Sequence, residues 1–266
     1  MLTAITRQVS PSINQCELTF HAKKPIDVEK AIAQHEAYEE CLRALGARVV
    51  SLAAEPDLPD AVFVEDAAIV VDEIAVIPVM GAASRRPETE SLGRALSAYR
   101  PLQFMDPPAT LDGGDVMRIG RRIFVGASKR TNREGVTQLR AALTPFGYEV
   151  IAVDVKRCLH LKSACCYLGE NSILINRDWV DLIPLAGFEL IDVPTSEPGA
   201  ANVLSIRDVV IVPSSFPQTV ALLEARGFNV KAIDVSEFQK AEGGVTCKSI
   251  IFNSDKPERS RRPLRI

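Results

Sequence analysis

Cys247, His160 and Asp112 are the residues with which this chain could do covalent chemistry. A thiolate attacks an electrophilic carbon, an imidazole moves the proton, and a carboxylate orients the imidazole. The three are far apart in sequence, so the chemistry exists only if the fold brings them together. Asp112 sits in Thr110-Leu-Asp-Gly-Gly-Asp115, where two glycines let the backbone turn sharply or pass close to another group. The only other histidines, His21 and His35, lie beside Lys23-Lys24 and inside a helical pattern, and read as structural.

Further charged residues suggest what such a site would hold. Asp60, Glu65, Asp66 and Glu242 would give one cavity an excess of carboxylate, which repels itself unless a cation joins. Arg85 and Arg130 offer forked donors that match a carboxylate. Acids and arginines together fit a zwitterion with a second cationic end. Cys158, His160, Cys165 and Cys166 raise the question of zinc, but no second pair with C-x2-4-C spacing exists.

The elements that must position these residues recur along the chain. Strand–turn–strand runs begin at Val62, at the Asp112 segment, at Cys158, at Ala201 and at Gly244. Near their starts stand Asp66, Asp112, His160, Asn202 and Cys247, separated by 46, 48, 42 and 45 residues. Between them helical patterns are expected at Asp27–Leu45, Pro87–Tyr99, Thr131 (with Glu134 as a capping box) to about Pro145, Asp178–Leu185 and Pro217–Arg226. Each leads into a further apolar strand. The unit is strand, strand, helix, strand, five times over, with the chain ends sharing one unit. Packed around an axis, the units bury their apolar faces and bring the five hairpin starts to a central pocket. The expected architecture is an α/β five-fold pseudosymmetric propeller, one catalytic domain over 1–266 with a short, solvated basic tail at about 256–266.

With 47% hydrophobic and 6% aromatic residues, the 266-residue chain can build a large aliphatic core. A net charge of −3 gives no basis for nucleic acid or an anionic membrane as partner. No apolar run approaches the roughly 18 residues needed to span a bilayer. The N-terminus lacks the pattern of a signal peptide. Six cysteines in a chain this long do not form a disulfide framework, so a cytoplasmic protein with free thiols is expected.

Several ordered blocks resemble the dimethylarginine dimethylaminohydrolases: Leu58–Asp66, Ala83–Arg86, Thr110–Val116, Phe124–Asn132, Leu159–Ser163 and Gly243–Cys247. The resemblance runs from about Leu18 to Ile251. It implies the pentein propeller of the guanidino-modifying enzymes and hydrolysis of Nω-methylated arginine to citrulline and a methylamine through a covalent thiouronium. It implies Cys247 as nucleophile, His160 as general acid/base and Asp112 as its partner. Glu65 and Asp66 would neighbour the guanidinium, and Arg85 and Arg130 would hold the α-carboxylate. Asp60 and the Leu18 carbonyl would take the α-amino group, with the Ala241 backbone and Glu242 closing the site. No metal or organic cofactor is implied, though zinc could inhibit at Cys247 and His160. The partner would be the small-molecule substrate, on a monomer or homodimer. Some relatives carry Asp at the place of Glu242 and Cys at that of Lys248. A deiminase acting on arginine or agmatine is the alternative within the class. Those relatives usually carry His-x-Asp where this chain has His160-Leu-Lys162. A non-catalytic propeller, such as a translation initiation factor, is a further alternative, against which the Cys/His/Asp set counts.

Overall fold

The five strand–turn–strand runs each supply the first strand of a three-stranded sheet in the computed structural model, which describes residues 1–255. The basic tail lies outside the described residues. In chain order, β1 (Leu2–Arg7), α1 (Val28–Ala44) and β2 (Arg48–Leu52) open the first unit. The second holds β3 (Ile69–Val70), β4 (Ala75–Ile77), α2 (Glu88–Leu96) and β5 (Leu102–Phe104). The third holds β6 (Val116–Ile119), β7 (Arg122–Ala127), α3 (Arg133–Leu143) and β8 (Glu149–Asp154). A short α4 (Leu161–Ala164) leads to β9 (Cys165–Gly169), β10 (Ser172–Ile175) and β11 (Glu189–Asp192) of the fourth. The fifth holds β12 (Leu204–Ile206), β13 (Val209–Pro213), α5 (Pro217–Ala225) and β14 (Asn229–Ile233). Finally α6 (Ser236–Gln239) and β15 (Ile250–Asn253) return the chain to its beginning, where β15 pairs antiparallel with β1, Leu2 opposite Asn253.

Every sheet has one plan: an antiparallel pair, then a parallel pair sharing the middle strand. A parallel pair needs a crossover connection, and helices α1, α2, α3 and α5 provide it in four of the five sheets. Helix α1 shows how sequence sets the ends. The Asp27 side chain accepts from the Lys30 amide at 3.0 Å, an N-cap. Gly46, at φ +80°, ends it, with Gly46 N–H donating to the Arg43 carbonyl and Ala47 N–H to the Leu42 carbonyl. That bond pair is a Schellman motif.

Two expectations need correction. The fourth crossover is not a helix but two 3-10 turns, Arg177–Trp179 and Ile183–Leu185. Pro184 has no N–H for a helix interior, and the Asn176 side chain captures the Asp178 amide instead. Helix α3 is capped by Asn132, whose side chain accepts from Gly135 N–H at 2.8 Å, not by Thr131. The Thr131 hydroxyl is spent on Asp115.

Apolar side chains form five buried clusters. The one between the second and third sheets joins Ile69, Val76, Val116, Val125 and Leu139. No unit buries both faces of its sheet alone; neighbours do it for one another, and the chain closes into a five-fold pseudosymmetric α/β propeller. Among the described residues all six cysteines are free thiols, and no helix is long and apolar enough to cross a membrane.

Candidate active site

The DGGD turn is where two catalytic candidates meet. A Cβ on Gly114 would lie 2.5 Å from His160 Nδ1 and 2.6 Å from Asp66 Oδ1, and one on Gly113 would lie 2.0 Å from the Glu65 carbonyl oxygen. Only glycine lets the backbone pass there. Gly114 N–H donates to Asp66 Oδ1 at 3.0 Å. His160 caps α4, its Nε2 3.1 Å from Asp112 Oδ2 and its Nδ1 3.7 Å from Asp66 Oδ1. Asp112 is itself held by the Gly81 amide at 2.9 Å. Burial opposes a charged ring, but Asp66, Asp112 and Asp115 outweigh it and raise the His160 pKa to about 9. His160 is therefore an imidazolium at neutral pH.

Cys247 lies across a cavity of about 300 Å³ shared with His160, Asp66, Asp60, Arg85, Arg130, Ala241 and Glu242. Its Sγ accepts from Gly244 N–H at 3.4 Å. Burial, then Glu65 and Asp66, push its thiol up to about 12, so the resting group is neutral. Asp112 is fully buried, in contact with His160 and not among the residues lining the cavity.

Two arginines line the cavity, and they differ. Arg85 gives Nε and Nη2 to Glu88 at 2.9 and 2.8 Å, and Nη1 to Asp66 at 2.8 Å. Its fork is already filled by an internal carboxylate, a bidentate pairing. Arg130 donates from Nη2 to the Thr19 hydroxyl at 3.1 Å, while its Nη1 is buried without a partner among the described residues. A buried guanidinium donor facing a cavity calls for an anion.

A strap of residues 17–21 is pinned beside the cavity, with Glu17 among the residues that line it. Glu17 N–H donates to Asp60 Oδ2 at 3.0 Å, and the amides of Thr19, Phe20 and His21 donate to the Glu242 carboxylate at 3.0, 2.5 and 2.5 Å. Glu242 sits at φ +58°, a conformation uncommon outside glycine, which turns it toward the strap. Leu18 lies in this strap but is not among the residues lining the cavity. Glu65, expected beside the guanidinium, is likewise not among the residues lining the cavity. Its carboxylate points to Lys162 Nζ at 2.5 Å and to the Thr246 hydroxyl at 2.7 Å, away from the cavity.

A family model for eukaryotic N,N-dimethylarginine dimethylhydrolases matches residues 4–252. The chain belongs to the dimethylarginine dimethylaminohydrolase family. Among the family, the chain is 38% identical over 248 residues to the N(G),N(G)-dimethylarginine dimethylaminohydrolase of Streptomyces coelicolor, covering 93% of this chain and 95% of that one. It is 35% identical to that of Pseudomonas aeruginosa over 234 residues, 87% and 92% of the two chains. The crystal structure of the Pseudomonas aeruginosa enzyme, a cysteine-to-serine mutant holding citrulline, superposes with a TM-score of 0.88 at 31% identity, over 95% of this chain and 100% of that one. A cyanobacterial arginine dihydrolase domain, at 18% identity and TM-score 0.79, shares the fold.

Within this dimethylarginine dimethylaminohydrolase framework, sequence reasoning missed two acids. Glu88 fills the Arg85 fork; the signal was an acid three residues on in a helix start. Burial pushes its carboxyl up to about 7 against the pull of Arg85. Asp115 is fully buried and holds three elements: it accepts from Leu161 N–H at 2.8 Å, Ser128 Oγ at 2.6 Å and Thr131 Oγ1 at 2.7 Å. It ties the His160 segment to the Arg130 loop.

Proposed function

We propose that the protein hydrolyses Nω-methylated arginine, mono- or dimethylated, to citrulline and methylamine or dimethylamine, with one catalytic domain and no cofactor. The observation that carries this reading is one cavity lined by the Cys247 thiol, the His160 imidazolium, Asp60 and Arg130, whose buried Nη1 has no partner among the described residues. The thiolate of Cys247 adds to the guanidinium carbon and His160 protonates the departing amine. A covalent thiouronium remains on sulfur. The imidazole left neutral by that transfer activates water, which attacks the thiouronium carbon, and collapse releases citrulline and the thiol. Asp112 keeps the ring oriented; Asp66 balances its charge and that of the guanidinium. Arg130 takes the α-carboxylate and Asp60 the α-amino group, with the strap at Leu18, the Ala241 backbone and Glu242 closing the site. Arg85 supports the His160 side of the site by fixing Asp66.

Substrate brings the charge that ionises the thiol. A guanidinium about 4 Å from sulfur, at an effective dielectric near 20, is worth on the order of 4 kcal/mol. That raises the thiolate fraction roughly a thousandfold. Purified protein incubated with asymmetric dimethylarginine, monomethylarginine, arginine and agmatine should form citrulline from the methylated compounds. Turnover of arginine or agmatine well above the methylarginines would overturn the substrate assignment in favour of a deiminase.

A further inference from the structure

On the other side of the nucleophile runs a second space of about 1150 Å³, lined by the first strands of the sheets, among them Val70, Met117, Tyr167 and Phe252. It extends from the exposed Arg118 and Asn253 inward to Glu65, Lys162 and Thr246. A hydrogen-bonded line joins this channel to the reacting sulfur. The Thr246 hydroxyl lies 3.9 Å from Cys247 Sγ, accepts from Asn202 Nδ2 at 3.0 Å, and donates to Glu65 Oε2 at 2.7 Å. The other Glu65 oxygen is held by Lys162 Nζ at 2.5 Å. With the hydroxyl proton given to Glu65 and one lone pair taken by Asn202, the second lone pair is left for the Cys247 thiol proton.

Before attack, Cys247, whose thiol pKa is raised by burial, must lose a proton. His160 is a poor acceptor, because the carboxylates around it already keep its ring protonated. We propose that Thr246 and Glu65 form a relay that carries the Cys247 proton away from the catalytic cavity into the axial channel. The S–H bond breaks with its electron pair left on sulfur, and the proton passes to Thr246 Oγ1. The proton that hydroxyl already held moves to Glu65 Oε2. The new Thr246 O–H then donates to the thiolate, and the Glu65 acid releases its proton to solvent in the channel. Burial raises the Glu65 carboxyl against the opposing pull of Lys162, which suits a transient acceptor. Asp66 and Lys162 are the other charged groups facing this carboxylate.

The relay rests on Cys247 being the nucleophile of the proposed reaction, so citrulline formation by the wild type, absent in Cys247→Ser, is measured first and separately. Thr246→Val keeps the shape and removes the hydroxyl; kcat/KM for dimethylarginine should fall about 100-fold or more, as for loss of a proton-transfer group. Thr246→Ser should stay within about threefold. Glu65→Ala should lose a similar factor, and formate, a carboxylate small enough for the vacated place, should return at least about tenfold of it. Rescue by formate has no counterpart in a merely structural role. Should Thr246→Val fail to fold, the Glu65→Ala and formate pair decides alone. Folded Thr246→Val turning over within threefold of wild type, an equal loss in Thr246→Ser, or no formate response in Glu65→Ala would each overturn the relay.

Discussion

His160 is flanked by three carboxylates, and this sets a pH signature. Its pKa is raised from 6.5 to about 9 in the folded protein, so the imidazolium stabilises the fold fully below pH 6.5 and the contribution fades as pH rises through 9. Thermal melts of the wild type should therefore drop across that window. His160→Gln, which cannot titrate, should lose the slope. The proposed general-acid role predicts a falling kcat/KM over the same limb, read from citrulline formation against pH. The two arginines should separate in experiment. Arg130→Ala removes charge-assisted bonds worth about 1.5 to 3 kcal/mol, or ten- to a hundredfold in KM, with little change in melting temperature. Arg85→Ala strands Glu88 and Asp66 as buried charges, a loss of about 3 to 5 kcal/mol in stability as well as activity. A methylguanidine without the amino-acid end should be indifferent to Arg130→Ala; equal losses on both substrates would refute the carboxylate role. Glu65 and Asp66 show the limit of sequence at this scale. Neighbours on one 3-10 turn face opposite sides, one to the channel and one to the cavity, and no spacing rule tells which.

The segment that carries the nucleophile is anchored by its next residue. Lys248 is fully buried, its Nζ 4.1 Å from the Tyr38 ring of α1 and 4.5 Å from the Phe238 ring of α6, with no hydrogen-bond partner. Burial lowers its pKa from 10.5 to about 7. A depressed lysine costs stability in full below its folded pKa, and the cost vanishes as pH rises through 10.5. That gap is worth about 5 kcal/mol before the ring contacts offset part of it. Lys248→Met should accordingly raise the melting temperature, most at pH 6 and least above pH 10.5; urea unfolding at both pH values checks it. The elements themselves were legible because strands and helices repeat a local pattern: α1 and β2 stand in the Asp27–Leu45 pattern and in the apolar strand expected after it. The fourth crossover was not, since Asp178–Leu185 has helical spacing but Pro184 forbids the helix. The strap was illegible for another reason. Its grip on Glu242 joins residues more than 220 positions apart, and nothing local announces it.

At the scale of the molecule, the near-constant spacing of the hairpin starts carried the ring, and the ring carried the meeting of Asp112, His160 and Cys247. Because each apolar cluster is shared by neighbouring units, the ring should lose structure in one step. Leu139→Ala, at a fully buried position between the second and third units, should cost about 2 to 5 kcal/mol while leaving turnover at 25 °C intact. Loss of activity and loss of circular dichroism on heating should coincide; a separate early loss of activity would mean that the units melt independently. The pairing of β15 with β1 also bears on how the thiol is held. Cys247 lies just ahead of the strand that zips onto the first one, Leu2 opposite Asn253, so its place depends on a strand at the far end of the sequence. A proline set into β1 would remove ladder bonds there and slacken the Cys247 segment, damage made at one edge of the chain and felt at the other.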